Sequence, residues 1–212
     1  MSTALFITLA AIIILVCLLR IFRPAPSIQD PRQTISANQS VDAINDPALE
    51  NVWWARLDTM LQLELALALA RKALPVWQLY AEVHGLHYRN SPNGPLVKVR
   101  PALLQNSINA VDLPANLRFP ENTSAITNCY NEFVSPLVAL QDGNWALTYP
   151  VKKIFLSVYN ILKAVVEQDQ LPVVKSLLSL SINQSLDCLD MCKLYSVEEI
   201  KAFIASYKGS LV

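Results

Sequence analysis

Residues 60–74, MLQLELALALARKAL, decide the fold class of this chain. Leucine occupies every second position from Leu61 to Leu69, an alternation that is typical of a half-buried β-strand. The residues between the leucines are nonetheless strong helix formers, and no β-branched side chain interrupts the segment. We therefore predict a helix that is apolar on most faces and lies in the core or in an interface. Pro75 is expected to break or restart it, and a shorter helix is expected to follow as far as Gly85.

The C-terminal half has the 3.6-residue period of amphipathic helices. Segments with apolar residues on one face are 126–140, 154–165, 174–189 and 197–207. Ser196 and Glu199 have the spacing of a capping box at the start of the last segment. The short connections between the segments favour antiparallel neighbours in a helical bundle.

Residues 86–100 are the one strand-like passage of the sequence. Two short alternating runs flank the turn-rich SPNG there and are compatible with a small β-hairpin.

The N-terminal 22 residues contain a long apolar run. Residues 4–22 are apolar or Thr apart from Arg20, and their length of about 19 residues is close to the roughly 20 that span a bilayer as a helix. No basic residue precedes the run and no small-x-small site follows it, which disfavours a cleavable signal peptide. The predicted organisation is all-α and has three parts: a single transmembrane helix within 1–22, a flexible linker over 23–47 and a soluble multi-helix bundle over 48–212. The linker is predicted from its richness in Pro, Ser, Asn and Gln. A division of the bundle into 48–118 and 119–212 is left open. The helix of residues 60–74 is expected to begin near Asp46 and Pro47.

Charge around the apolar run predicts its orientation. Arg20 and Arg23 follow the run and no basic side chain precedes it, so the positive-inside rule places the C-terminal domain in the cytoplasm and the anchor in the inner (cell) membrane. Both arginines are expected at the lipid headgroups. Trp53 and Trp54 are candidates for the membrane interface, and the alternative is that at least one of them enters the core as the bundle begins.

Composition excludes several classes of function. The 17 basic and 17 acidic residues cancel, so the chain lacks the positive footprint of a nucleic-acid-binding protein. Charged residues make up 16% of the chain against a usual quarter or so, which favours a surface covered by a partner or apposed to a membrane. Only four glycines occur, and none forms a phosphate-binding loop, while GxSxG and HExxH motifs are absent from the sequence. We therefore expect no catalytic residues, no cofactor and no enzymatic activity.

One group of residues has the chemistry of a metal site. His84, His87, Cys188 and Cys192 together supply two imidazoles and two thiolates, a donor set that suits tetrahedral zinc. The cysteines lie one helical turn apart, whereas the histidines flank a glycine about 100 residues earlier. The alternative is that the cysteines are small apolar core residues and the histidines lie at the surface.

A second group is basic. Arg89, Lys98 and Arg100 occur in a stretch without acidic residues, which suits anionic headgroups or an acidic partner, the alternative being a solvated surface.

These patterns favour a single-pass, membrane-anchored docking or assembly protein. It is expected to be a non-catalytic subunit of an inner-membrane multiprotein complex such as a secretion apparatus, with other proteins of that complex and the bilayer, through residues 4–22, as its partners. Two alternatives remain open: a membrane-tethered sensor or enzyme that uses thiols or a metal, and an envelope-side accessory or immunity-like factor.

Overall fold

The structure, a computed structural model, describes residues 53–111 and 123–208. Over these ranges the chain is a helical bundle with one small two-stranded sheet, which confirms the predicted helical class. The predicted anchor at 1–22 and linker at 23–47 lie outside the described residues. After a 3-10 turn at Trp53–Arg56 the elements are α1 (Thr59–His84), β1 (His87–Arg89), β2 (Leu96–Lys98), α2 (Leu103–Val111), α3 (Thr123–Gln141), α4 (Tyr149–Val166), α5 (Leu171–Cys192) and α6 (Val197–Lys208).

Helix α1 contains the leucine-rich segment and differs from the prediction at two points. It begins at Thr59, where the side chain of Asp58 accepts a hydrogen bond from the N–H of Leu61 at 2.9 Å, and so starts after the expected position. It also continues without a break through Pro75 to His84. Leu74, Val76 and Trp77 are buried on either side of the proline, and this burial outweighs the hydrogen bond that a proline cannot donate.

The burial of α1 explains its unusual leucine pattern. Leu63, Leu65, Leu67 and Leu69 are all buried, although they point in different directions around the helix. Helices α4 and α5 pack against α1, and α2 also contacts it, so that apolar residues are needed on most of its faces. The prediction of a helix central to the core is therefore confirmed.

The α4 and α5 helices run antiparallel, and α1 runs parallel to α5. Lys153 pairs with Asp187 at 2.6 Å while the later Asn160 meets the earlier Gln184, which fixes the α4–α5 direction. Gln62 in α1 donates a hydrogen bond to Ser179 in α5 at 2.7 Å. Ten residues further along α1, the amine of Lys72 lies 4.5 Å from the ring centroid of Tyr195, just after α5.

A seam of polar side chains is buried among these three helices. Its members are Gln62, Ser157, Asn160, Ser179, Ser181, Gln184 and Ser185. The hydroxyl of Ser157 lies 2.8 Å from each of the Ser181 and Ser185 hydroxyls, and Asn160 donates to Gln184 at 2.9 Å. Because buried polar groups need partners, these contacts hold the helices in one register.

Helix α6 begins with the predicted capping box. The N–H of Ser196 donates to the Glu199 carboxylate at 2.7 Å, and the N–H of Glu199 donates to the Ser196 hydroxyl at 3.2 Å. Its residues Ile200, Phe203 and Tyr207 are half-buried against the core.

Within 53–111 and 123–208, no helix is both long and apolar enough to cross a bilayer.

Candidate docking groove and thiol pair

A groove of about 590 Å³ opens between the hairpin, the start of α2 and the middle of α3. Its floor is apolar and buried and consists of Tyr88, Val99, Leu103 and Pro136. Its rim is exposed and polar and consists of Lys98, Arg100, Asn131, Glu132 and Ser135. We call these residues the hairpin groove. An apolar floor with a few polar groups at the rim is the usual composition of a binding site.

The hairpin is positioned by its inner face. Tyr88 and Val97 are directly opposite each other in the antiparallel pair and face the core, where the Tyr88 ring lies 5.9 Å from that of Trp145. The sheet confirms the hairpin that the sequence allowed. Trp77 fixes the chain just after β2, because its indole N–H donates to the carbonyl of Pro101 at 2.8 Å.

The outer edge of β2 carries backbone groups that have no hydrogen-bond partner within residues 53–111 and 123–208. The N–H of Val99 donates to Leu86 at 2.9 Å, and in an antiparallel pair hydrogen-bonded and non-hydrogen-bonded positions alternate. The backbone groups of Leu96 and Lys98 therefore point away from β1. The opposite edge is occupied, since the N–H of Arg89 donates to Asn144 at 3.3 Å. Lys98 belongs both to the free edge of β2 and to the groove rim.

The α3 wall of the groove contains a proline. Pro136 lies inside α3 and has no N–H, so it cannot donate the usual helical hydrogen bond to the carbonyl of Glu132, four residues earlier. Both residues line the groove. The groove thus lies between a helix wall that contains a proline and the edge of β2.

The charges at the rim are partly compensated. The guanidinium of Arg100 forms an ion pair with the carboxylate of Glu132, and this hydrogen bond raises the pKa of Arg100 above its ordinary value. Lys98 forms no ion pair with any residue in the described part of the chain. The rim therefore has a net positive charge. Of the three basic residues that the sequence singled out, Lys98 and Arg100 meet here, whereas the Arg89 side chain donates to the carbonyl of Gly94 in the hairpin turn.

The predicted interface tryptophans pack together at the start of the bundle. The Trp53 and Trp54 rings are 5.7 Å apart in an edge-to-face arrangement, and both side chains are half-buried against the core. The indole nitrogen of Trp54 is buried without a hydrogen-bond partner among the described residues. Arg20 and Arg23 lie outside the described residues.

The four candidate metal ligands fall into two separate places. His84, at the end of α1, lies with its ring 4.6 Å from that of Tyr80, and His87 is exposed in β1. Cys188 and Cys192 lie at the end of α5. No group of three or more His, Cys, Asp or Glu side chains within 53–111 and 123–208 is arranged to hold a metal ion.

The two cysteines of α5 form a thiol pair, one helical turn apart. Cys188 is buried and Cys192 is half-buried. The hydrogen bond from Cys188 lowers the pKa of the Cys192 thiol, while the same bond and burial raise the pKa of Cys188. Cys129 in α3 is a different case, because burial is the largest cause of its raised pKa.

Comparison with known proteins adds no family to this description: no family model, curated protein or solved structure matches the chain. The residues of the groove that the sequence did not indicate are chiefly Tyr88, Asn131, Glu132 and Ser135. A proline inside a helical segment, Pro136, was the one local signal for an irregular wall at this place.

Proposed function

We propose that this protein is a single-pass, membrane-anchored docking protein that holds an extended segment of a partner protein in the hairpin groove. The observation that carries the proposal is the combination of an apolar floor with an edge of β2 whose backbone groups have no partner within the described residues. An extended peptide can pair with an exposed strand edge while alternate side chains enter a neighbouring groove.

The chemistry of the groove specifies the kind of segment that fits. Its floor of Tyr88, Val99, Leu103 and Pro136 suits apolar side chains. The charge of Lys98, which has no ion-pair partner in the described part of the chain, suits an acidic residue of the partner beside them. The occupant is therefore an extended segment that combines apolar side chains with at least one carboxylate.

The predicted anchor and linker give this docking role a location. A span within residues 4–22 would hold the bundle at the inner membrane, and the linker over 23–47 would allow it tens of Å of reach. The protein would then act as a non-catalytic subunit of a membrane complex. Fusions of the C-terminus to a fluorescent protein and to alkaline phosphatase test this part, because only the cytoplasmic orientation predicts fluorescence without phosphatase activity.

Site-specific photo-crosslinking in cells tests the docking site. A photoreactive amino acid replaces Ser135 in the groove or, as a control, the exposed Gln168 between α4 and α5. We expect one partner to crosslink at position 135 and not at position 168. Lys98→Glu should weaken the crosslink by about tenfold or more, whereas Lys152→Glu, outside the groove, should leave it unchanged. Equal crosslinking from both positions, or indifference to Lys98→Glu, would contradict the proposal.

A further inference from the structure

We propose that Cys188 and Cys192 form a reversible redox site, in which a low-molecular-weight disulfide oxidises the two thiols to an intrahelical disulfide and thereby loosens helix α6. The inference does not depend on the docking role. It rests on the position of the pair, on their different access to solvent, and on the contacts that follow the end of α5.

The two thiols are within reach of each other. They lie four residues apart on one face of α5, so their Cα atoms are about 6.2 Å apart in regular helix geometry. This value falls inside the range of about 4.4–6.8 Å found for disulfides. Both side chains also pack against the same core, Cys188 within it and Cys192 at its border.

The different burial of the two cysteines assigns their roles. Cys188 is 0% exposed, whereas Cys192 is half-buried and meets solvent. Cys192, as thiolate, attacks a disulfide RSSR, forms the mixed disulfide Cys192–S–S–R and releases RS⁻. The sulfur of Cys188 then attacks the Cys192 sulfur, a second RS⁻ leaves, and the two released thiolates take up the protons of the two cysteines. In total, two cysteine thiols are oxidised and one RSSR is reduced to two RSH.

The bond cannot form on an undistorted helix. Side chains four residues apart have Cβ atoms about 5–6 Å apart, while a disulfide needs about 3.8 Å. The last turn of α5 must therefore tighten or unwind. It is followed directly by Lys193, whose φ of 53° is a left-handed conformation that a residue with a Cβ rarely adopts. A strained disulfide of this kind is easily reduced again, as a reversible site requires.

The end of α5 is connected to α6 through aromatic contacts with a single lysine. Tyr195 lies three residues after Cys192, and its ring centroid is 4.5 Å from the amine of Lys72. The ring of Phe203 in α6 lies 4.7 Å from the same amine. Movement of the last turn of α5 would shift Tyr195 and open this arrangement. Because α6 is held by half-buried side chains, the loss of these contacts would loosen it.

The test uses the full chain in mild detergent, with Cys17 and Cys129 replaced by Ala so that the pair provides the remaining thiols. The protein is equilibrated with reduced and oxidised glutathione at several ratios, quenched with acid, alkylated and weighed intact. We expect both thiols to disappear in one step, with a mass loss of two hydrogen atoms that dithiothreitol reverses. In the matched variant Cys188→Ala, Cys192 should instead keep a glutathione adduct.

Hydrogen exchange measures the coupling. The amides of α6 should exchange about tenfold faster or more in the oxidised protein than in the reduced one, whereas those of α2, away from the pair, should not change. Glutathione adducts or intermolecular disulfides without the internal bond would overturn the redox site. An internal disulfide that leaves α6 protection unchanged would overturn the coupling.

Discussion

Replacement of Trp77 by Phe tests how the core supports the hairpin groove. The Trp77 side chain is 0% exposed, its ring lies 5.9 Å from that of Phe155, and its indole N–H donates to Pro101 at 2.8 Å. Pro101 immediately follows Arg100 and precedes Leu103, so this hydrogen bond holds the part of the chain that forms one wall of the groove.

The expected loss of stability has two parts. Loss of the hydrogen bond lowers the free energy of unfolding by only about 1 kcal/mol, because the exposed Pro101 can offer its carbonyl to water instead. Phe leaves roughly 40 Å³ of the tryptophan volume empty, which at about 24 cal/mol per Å³ removes another 1 kcal/mol or so. A total of about 2 kcal/mol should lower the melting temperature by roughly 4–8 °C for a domain of this size.

Circular dichroism melts of the full chain in detergent measure this change, with Trp53→Phe as the matched control. Trp53 is half-buried and lies edge-to-face with Trp54, so its replacement should remove less than about 1 kcal/mol. Hydrogen exchange should also show faster opening of the segment after β2 in Trp77→Phe alone. Equal effects of the two substitutions, or a Trp77→Phe melt within about 1 °C of the parent, would refute the packing argument.

Three further predictions concern single contacts. Gln62→Met removes the hydrogen bonds that the amide donates to Ser179 and Lys175, but it also removes a buried Oε1 that accepts none within the described residues. Because these two effects oppose each other, the free energy of unfolding should change by less than about 1 kcal/mol in the same melts. Hydrogen bonds from the Ser196 N–H and hydroxyl lower the pKa of Glu199 below its ordinary 4.5. The stabilisation of α6 by the Glu199 carboxylate should therefore be complete above pH 4.5 and lost as the pH falls through the lower pKa of the folded state, and the loss should appear as faster α6 hydrogen exchange. Arg100→Glu brings two carboxylates together at the groove and should lower the melting temperature, which a second change, Glu132→Arg, should restore.

The helices could be predicted because their apolar periods are local properties of the sequence. The faces of α4 and α5 follow directly from the spacing of residues such as Phe155, Val158 and Leu178, which are all buried. The prediction of a break at Pro75 was wrong for the opposite reason. Local preference favours a helix end at a proline, but the burial of Trp77 just beyond it depends on packing against α4. Local signals therefore located the elements, and packing between distant elements decided where α1 ends.

The hairpin groove could not be predicted, because its walls come from separate parts of the chain. Lys98 ends β2 and Arg100 follows it, while Glu132 and Ser135 lie more than thirty residues later in α3. Nothing in the spacing of these residues shows that they meet, and Glu132 alone is typical of any solvated helix face. The thiol pair is different, since four-residue spacing on a helix already places Cys188 and Cys192 together.

The buried polar seam shows why the register of the bundle is specific. Asn160 and Gln184 are satisfied by each other at 2.9 Å, and Ser157 is satisfied by hydroxyls of α5 on the adjacent turn. A slip of α4 along α5 by one turn would leave apolar residues buried against other apolar residues, with little change in the free energy of unfolding. It would, however, leave both amides buried without partners, at about 1–3 kcal/mol for each group. In a bundle whose central helix is apolar on most faces, it is therefore the polar contacts, more than the leucines, that exclude alternative alignments.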